Sequence, residues 1–187
     1  MKRVMAFIGP AGAGKDTIAA MVHKALPGSH MIVSCTTRPR RDYEIDGVHY
    51  HFITGEAFAE KVLNNDMLEA TCFNDWFYGT MKSDLKDGWN IGVFNPEGWI
   101  SLWNMQDKDL KTYGFYVSSK AKTRLLRQLN REEDPDINEI IRRYKADAED
   151  FANMAEELPP MYVVENETMD DLQDIVSEIT LWAQEHN

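Results

Sequence analysis

The sequence predicts an α/β fold in which helices cover both faces of a parallel sheet. Short apolar segments with the character of strands alternate with segments of helical spacing along the 187 residues, as in chains built from strand–helix–strand units. The first such unit also carries a glycine-rich turn between a buried strand and a helix, which indicates a specialised turn at one edge of the sheet.

The composition restricts the classes of partner. A hydrophobic content of 43% is ordinary for one globular domain. The net charge of −11, from 31 acidic and 20 basic residues, argues against nucleic acid or an anionic membrane as partner. Cys35 and Cys72 lack paired spacing, and no apolar run approaches the ~18 residues of a membrane helix. With no signal peptide at the N-terminus, we expect a cytoplasmic protein.

The first half of the chain combines sheet and turn signals. Apolar runs predict strands at residues 4–8 and 31–34, and the intervening helix at 18–26 ends at Pro27-Gly28. Residues 34–86 then resemble a small inserted α+β unit. Alternation after the Asp46-Gly47 turn predicts a strand at 48–53, followed by a helix at 55–64, a strand at 67–73 and an aromatic loop at 76–80.

The second half returns to regular alternation. We expect strands at residues 90–94, 113–117 and 161–164. The predicted helices are 96–105, which begins with a proline, 120–129, a long acidic helix at 137–158 and a last helix at 169–185. Residues 130–136 are polar and irregular.

The segment Gly9-Pro10-Ala11-Gly12-Ala13-Gly14-Lys15-Asp16-Thr17 is typical of a phosphate-binding P-loop. Its glycines let the backbone amides of Gly9, Ala11, Gly12, Ala13 and Gly14 face one point, and the following helix adds its N-terminal dipole. Lys15 is expected to reach the β- and γ-phosphates of a nucleoside triphosphate. The chain is therefore expected to bind ATP at this turn.

Asp16 stands where a P-loop usually has serine or threonine. A carboxylate beside polyphosphate is repelled unless a cation lies between them. Asp16 therefore either acts on Mg²⁺, directly or through water, or turns away from the nucleotide. Thr17 is expected to reach the α-phosphate side, and the two residues are the candidate Mg²⁺ ligands.

The only dense basic cluster belongs to a longer recognisable segment. Ser34-Cys35-Thr36-Thr37-Arg38-Pro39-Arg40-Arg41, followed by Glu44-Ile45-Asp46-Gly47-Val48-His49-Tyr50-His51-Phe52, resembles the nucleotide-acceptor segment of guanylate kinases. Met67-Leu68-Glu69 and Phe77-Tyr78-Gly79-Thr80 continue the resemblance at the family's spacing. The resemblance is close over residues 1–82 and looser beyond.

This resemblance implies a P-loop NTPase-type fold and an activity. The core domain would comprise residues 1–33 and 88–187, the nucleoside monophosphate-binding region residues 34–87, and a helical lid residues 127–143. The implied reaction is ATP-dependent phosphoryl transfer to GMP or dGMP with Mg²⁺. Small nucleotides would be the partners, and the oligomeric state is left open.

Four residues are expected to hold the acceptor's phosphate. Arg38 and Arg41 lie three positions apart, so both can converge on one phosphate, whose oxygens arginine binds bidentately. The phenols of Tyr50 and Tyr78 can donate to the same group.

Glu69 is the candidate for recognising the base. An ionised carboxylate accepts from both N1–H and N2–H₂ of guanine, and adenine offers no such donor pair. Glu69 lies in an apolar strand segment, where a carboxylate without partners is costly. The resemblance adds Ser34 and Thr80 as further hydrogen-bonding partners of the base.

The resemblance also implies arginines that act on the transferring phosphoryl group together with Lys15. Arg131 resembles the first lid arginine. The family pattern then has an arginine followed by an apolar neighbour, a small residue and an acid. Arg142 lacks the apolar neighbour and Arg143 lacks the small residue, so both stay candidates, with Arg127 a further one. Asn166 resembles the family's asparagine near the adenine.

One segment departs from the family. Guanylate kinases usually carry Asp-x-Asp where Val93 and Asn95 stand here. Asn95 can still hydrogen-bond the acceptor or a metal-bound water, and Asp16 is expected to replace part of the lost charge. Two alternative functions follow. The Gly-Lys-Asp-Thr form of the loop resembles phage deoxynucleoside monophosphate kinases of broader specificity, and the missing aspartates favour an inactive, phosphopeptide-binding guanylate-kinase-like module.

Overall fold

A computed structural model describes residues 1–42, 44–73, 75–105, 107–131, 133–154 and 158–186. The strands are β1 (Lys2–Ile8), β2 (His30–Met31), β3 (Cys35–Thr36), β4 (His51–Phe52), β5 (Met67–Phe73), β6 (Trp76–Met81), β7 (Gly88–Val93), β8 (Leu110–Ser118) and β9 (Tyr162–Glu165). The α-helices are α1 (Lys15–Ala25), α2 (Gly55–Leu63), α3 (Pro96–Trp103), α4 (Ala121–Leu129), α5 (Ile137–Met154) and α6 (Met169–Glu185).

The larger sheet confirms the predicted α/β class. Its strand order is β2-β7-β1-β8-β9, and every neighbouring pair is parallel. Side chains of the central strand β1 alternate between two apolar cores. Met5 and Phe7 pack with α1 and α6 on one face, and Val4, Ala6 and Ile8 pack with α3 on the other. Helices therefore cover both faces, as a parallel sheet requires.

The smaller sheet lies within the inserted part of the chain. Its order is β4-β3-β6-β5, with β3 and β4 parallel and the other pairs antiparallel. Cys35, Phe58 of α2 and Met67 form its buried core. Helix α3 contacts β1 and β8 of the larger sheet and β5 of the smaller sheet. The carboxyl end of β1, the start of α3 and β5 therefore border one space.

The aromatic segment 76–80 is a strand, so its prediction as a loop was wrong. Strand β6 pairs with β3 and β5 in antiparallel register. The Phe77 carbonyl oxygen accepts from the Thr37 N–H, and the Phe77 N–H donates to the Thr37 hydroxyl. Gly79 marks a close approach of strands rather than a turn, because an added Cβ there would lie 2.7 Å from the Glu69 carbonyl oxygen.

The strand predicted at residues 48–53 is shorter than expected. The Asp46 carboxylate accepts the Phe52 N–H at 2.8 Å, and Gly47 N–H donates to the Tyr50 carbonyl. These local bonds form a turn that leaves only His51–Phe52 in the sheet. The strand predicted at 31–34 likewise ends early, because Val33 N–H donates to the Asp84 carboxylate instead of a neighbouring strand.

The helices follow the predicted spacing closely. Helix α6 has the predicted bounds and begins with a capping box between Thr168 and Asp171. Helix α5 is described to Met154, and the predicted continuation through residues 155–157 lies outside the described residues. Among the described helices, none has the length and apolar character needed to cross a membrane.

Candidate active site

The glycine-rich turn packs against the strands and helix behind it. Gly9 has φ 148°, and a Cβ there would lie 2.3 Å from the Val117 carbonyl oxygen. Gly12 has φ 78°, and its Cβ would lie 2.5 Å from the Arg124 carbonyl oxygen. Both positions need glycine because side chains are strained at these φ values and have no room. The backbone is thereby folded into a cradle at the start of α1.

Lys15 is the first residue of α1 and lines a cavity in front of the turn. Its ammonium group donates to the Pro10 carbonyl oxygen at 3.1 Å. Burial lowers the pKa of Lys15 from its usual value, while the charges of Asp16 and Asp147 act in the opposite direction. The Ala11 N–H, at the centre of the turn, donates to the Asp147 carboxylate at 2.6 Å.

Two residues anchor the turn from behind. Asn166 follows β9, is 2% exposed, and donates from Nδ2 to the Ala13 carbonyl oxygen at 2.8 Å. Arg127 of α4 donates to the Asn166 carbonyl oxygen at 2.9 Å and to that of Ala13 at 3.3 Å. Their polar groups are engaged with the loop backbone, so they hold the conformation of the turn.

Asp16 and Thr17 are exposed on the first turn of α1. Burial lowers the pKa of Lys15 and raises the pKa of Tyr50, and the charge of Asp16 acts upward on both pKa values. Its carboxylate therefore acts electrostatically on both halves of the cavity.

The basic segment is organised by a buried carboxylate. Arg38 donates to Glu44 at 2.6 and 3.0 Å, and the Arg41 backbone N–H donates to the same carboxylate at 2.8 Å. Glu44 is 5% exposed, and its hydrogen bonds with Arg38 lower its pKa. The guanidinium of Arg38 also lies 5.7 Å from the ring centroid of Tyr50. The sequence does not reveal that Glu44 orients Arg38, because their contact is visible only in the folded structure.

Tyr50 and Tyr78 meet across the insert, with ring centroids 6.1 Å apart. Both line the cavity. Burial raises the pKa of the Tyr50 phenol, so this phenol stays a donor at neutral pH. The hydrogen bonds with Glu44 are the largest cause that raises the pKa of Arg38, and the nearby Tyr78 acts in the same direction.

Glu69 is a buried carboxyl group at the floor of the insert. It is 9% exposed, and burial raises its pKa to about 7 against the opposing effect of hydrogen bonds from the side chain and backbone of Thr80. The hydroxyls of Ser34 and Thr80 lie 3.3 Å apart. The structure therefore brings together the three residues proposed from sequence to contact a base.

Asn95 caps helix α3 at the edge of this group. Its side-chain oxygen accepts from the Gly98 N–H at 2.8 Å, and its nitrogen donates to the Thr71 hydroxyl at 3.2 Å. A Cβ on Gly98 would lie 2.9 Å from Asn95 Oδ1 and 3.2 Å from Glu69 Oε2. The helix start is thus packed directly against Glu69. Thr71 was not recognised from the sequence, because strand alternation does not distinguish it from an ordinary buried threonine.

One cavity of about 490 Å³ joins these groups. It is lined on the loop side by Gly9, Ala11 and Lys15, on the insert side by Ser34, Tyr50, Glu69 and Tyr78, and on the α3 side by Asn95. Helix α5 closes it with Arg143, Asp147 and Asp150. Asp147 and Asp150 were not candidates at the sequence level, where they belong to an acidic helix face.

The two candidate arginines on α5 differ in position. Both bind Glu139, Arg142 through Nε at 2.6 Å and Arg143 through Nε at 2.7 Å. These hydrogen bonds, those from Arg142 being the larger cause, lower the pKa of Glu139 to about 2. Only Arg143 of the two lines the cavity. Arg131 is exposed just after α4 and does not line the cavity either.

Comparisons of the sequence and the structure with known proteins all point to the same family. A model of the guanylate kinase family matches residues 1–183. A guanylate kinase from Thermotoga maritima is 32% identical over 177 residues, which cover 91% of this chain and 82% of that protein. One from a Ruegeria species is 30% identical over 174 residues, covering 91% of this chain and 79% of that protein.

Shorter and structural matches agree. A guanylate kinase from Gloeobacter violaceus is 38% identical over 92 residues, which cover 49% of this chain and 45% of the relative, so this chain spans about half the length of that relative. The crystal structure of a guanylate kinase from Anaplasma phagocytophilum has the same fold, with a TM-score of 0.68 at 20% identity over 99% of this chain and 86% of that chain. The match of the family model over nearly the whole chain, with two relatives of 30% and 32% identity across most of their length, shows that this protein belongs to the guanylate kinase family.

Proposed function

We propose that the protein transfers the γ-phosphoryl group of ATP to GMP or dGMP, giving ADP and GDP or dGDP. The observation that carries the proposal is the shared cavity, whose lining includes Ala11 and Lys15 of the glycine-rich turn together with the buried Glu69. The turn would bind the phosphates of the donor, and the residues around Glu69 would bind the acceptor base, within one space. Such an arrangement supports direct transfer between two nucleotides, since positioning is the main requirement of phosphoryl transfer.

On the donor side, the turn from Gly9 to Gly14 would cradle the phosphates with its amides, and Lys15 would neutralise the β- and γ-phosphates. The packing of Asn166 and Arg127 behind the loop supports a fixed cradle. Because the Asn166 amide donates to the loop itself, we infer that it acts on ATP chiefly by holding this backbone in place.

On the acceptor side, residues 34–87 would form the nucleotide-binding region. Arg38 and Arg41 would bind the acceptor phosphate with the phenols of Tyr50 and Tyr78. Glu44 would hold Arg38 in a defined rotamer, since the pair shares two hydrogen bonds.

Glu69 would select guanine. Its carboxylate would accept from N1–H and N2–H₂, and the Ser34 and Thr80 hydroxyls would bind the remaining edge of the base. Burial raises the pKa of Glu69 to about 7, and two donors facing the carboxylate would favour its ionised form. Asn95 would border the base from the start of α3.

Residues 127–143 would act as the lid. Arg143 already lines the cavity, and we infer that it is the second lid arginine, with Arg142 supporting the same region through Glu139. Arg131 would reach the transferring phosphoryl group when the lid moves toward the loop. Closure would exclude water and limit wasteful hydrolysis of ATP.

The site offers oxygen donors suited to Mg²⁺, which prefers carboxylates, phosphates and water. Asp16 and Thr17 project at the start of α1, and the charge of Asp16 acts on Lys15. We infer that these two residues would hold the cation. When bound, Mg²⁺ would neutralise charge on the β- and γ-phosphates.

A coupled ADP-release assay with ATP and Mg²⁺ tests the proposal, with GMP, dGMP, AMP, dAMP, CMP, dCMP, UMP and dTMP offered separately. Turnover is expected with GMP and dGMP alone. Glu69→Gln is expected to reduce GMP turnover by about 100-fold or more, because a hydrogen bond to a charged group contributes about 1.5–3 kcal/mol and two are altered. Glu60→Gln, an exposed residue of α2, is the matched control.

Two results would contradict the proposal. Turnover with several deoxynucleotides would contradict guanine specificity and would indicate a deoxynucleoside monophosphate kinase of broader specificity. Absence of turnover, with phosphate ligands still bound, would favour a non-catalytic binding module.

A further inference from the structure

A carboxylate occupies the phosphate cradle. Asp147 of α5 accepts the backbone N–H of Ala11 at 2.6 Å. The two residues are 136 positions apart, so the contact joins the lid helix to the glycine-rich turn. A hydrogen bond from an amide to an ionised carboxylate is short and roughly twice as strong as one between neutral groups.

The surroundings of Asp147 are those expected for a phosphate oxygen. Burial lowers the pKa of Lys15, and the charge of Asp147 opposes this effect from the wall of the same cavity. Asp147 therefore accepts from the amide and acts electrostatically on the partly buried lysine that the turn would offer to a donor nucleotide. It presents the same charge sign and the same kind of acceptor atom as a phosphate.

Nucleotide binding and this contact exclude each other. The Ala11 N–H has one hydrogen to donate, so a phosphate oxygen there must displace the carboxylate. The displaced carboxylate remains on α5, which carries Asp150 on the cavity wall together with Arg143, whose guanidinium is paired with Glu139. A polyphosphate without a metal ion then lies beside like charges in a partly enclosed space, where their repulsion is weakly screened.

We propose that Asp147 competes with the donor's phosphates for the glycine-rich turn and thereby makes nucleotide binding depend on a divalent cation. This inference rests on the donor site of the proposed function. A cation bound to the phosphates reduces their net charge and removes most of the repulsion. Asp147 therefore discriminates against metal-free nucleotide, and the release of its bond to Ala11 couples donor binding to movement of α5.

Isothermal titration calorimetry of the full chain with ATP, in EDTA and in Mg²⁺, tests the inference. The variants are Asp147→Asn, which keeps the shape of the side chain, and Asp147→Ala, which leaves a residue as small as its neighbours Ala146 and Ala148. Glu149→Gln is the matched control, because it removes the same charge from an exposed position of the same helix. Inorganic pyrophosphate is the second probe, since it lacks the base and sugar.

Both Asp147 variants are expected to bind metal-free ATP and pyrophosphate about 10-fold more tightly than the unaltered protein, which corresponds to about 1.4 kcal/mol. The gain in affinity on adding Mg²⁺ should shrink by a similar factor. Glu149→Gln should leave both affinities within about 2-fold.

Three outcomes would overturn the inference. Unchanged metal-free binding in Asp147→Asn would show that the carboxylate does not compete. Equal tightening in Glu149→Gln would assign the effect to net charge. Weaker binding of Mg²⁺–ATP, with metal-free binding unchanged, would make Asp147 a support for the cation instead. Failure of the unaltered protein and all variants to bind either probe would contradict the donor site itself, and thus the proposed function.

Discussion

Glu69 shows how one buried residue links stability to recognition. It is 9% exposed, and its ordinary pKa of 4.5 is raised to about 7 by burial. The folded protein without ligand therefore favours the neutral carboxyl group, whereas guanine would favour the ionised one. Ionising the buried Glu69 carboxyl group therefore lowers the free energy of unfolding of the protein without ligand.

The free energy of unfolding should depend on pH through this residue. The unfolded chain releases the Glu69 proton near pH 4.5 and the folded protein near pH 7, so the folded state binds more protons between these values and loses stability as pH rises through them. Glu69→Gln lacks this titration. Its stability relative to the unaltered protein should increase by ~2 kcal/mol between pH 5.5 and 8.

Urea unfolding of both proteins across this range measures the difference, with Glu60→Gln as control. Parallel stability curves for Glu69→Gln and the unaltered protein would show that the carboxyl group has an ordinary pKa in the fold.

At the scale of elements, the first turn of α3 joins the two sheets. Asn95 caps the helix through the Gly98 N–H and bonds Thr71 on β5. The helix therefore fixes the cavity wall next to Glu69 while it packs on the larger sheet. The backbone angles of Gly98 do not require glycine. A larger residue would instead be crowded by the neighbouring side chains of Asn95 and Glu69.

Gly98→Ala is expected to destabilise the protein by ~1 kcal/mol and to weaken GMP binding, although alanine is intrinsically favoured in helices by about 1 kcal/mol. The added Cβ would approach Asn95 Oδ1 to 2.9 Å and Glu69 Oε2 to 3.2 Å, so the cap must shift. Gly55→Ala, at the start of α2 with nothing within 4 Å, is the matched control and should not destabilise.

Urea unfolding and GMP titration of the two variants separate these effects. Equal gains in stability for both glycine positions, with unchanged GMP affinity, would contradict the proposed packing of α3 against Glu69.

At the scale of the whole molecule, helix α6 closes one face of the larger sheet. Trp182 meets an aromatic group drawn from two strands, with ring centroids 5.6 Å from Trp89 of β7 and 4.9 Å and 5.5 Å from Tyr113 and Phe115 of β8. Trp89 adds a hydrogen bond of 3.2 Å to the Ala183 carbonyl oxygen. The last helix therefore packs on strands β7 and β8, which are distant from it in the sequence.

Trp182→Ala should lower the free energy of unfolding by ~3 kcal/mol, because it removes a large side chain from this aromatic group. Leu181→Ala, at a neighbouring position that is 61% exposed, should change it by less than about 0.5 kcal/mol. Chemical denaturation measures both. Similar losses for the two variants would mean that α6 is stabilised by local helix formation and not by docking.

Much of the fold and part of the site were predictable because their signals are local. The glycine-rich turn, the helix of residues 169–185 and the parallel sheet follow from spacing and turn chemistry within short windows. The candidates Ser34, Glu69 and Thr80 also came from sequence, and the structure brings them together. Their individual roles in recognising a nucleotide stay predictions.

The sequence by itself therefore determined the α/β architecture, the position of the glycine-rich turn and the family resemblance of residues 34–80. Only the tertiary structure decided that residues 76–81 form a strand, that Glu44 is buried against Arg38, and that Asp147 reaches the amide of Ala11. The physical reason is range. Periodicity and turn residues act over a few positions, whereas strand pairing, burial of a charge and a contact across 136 positions depend on how the whole chain closes on itself.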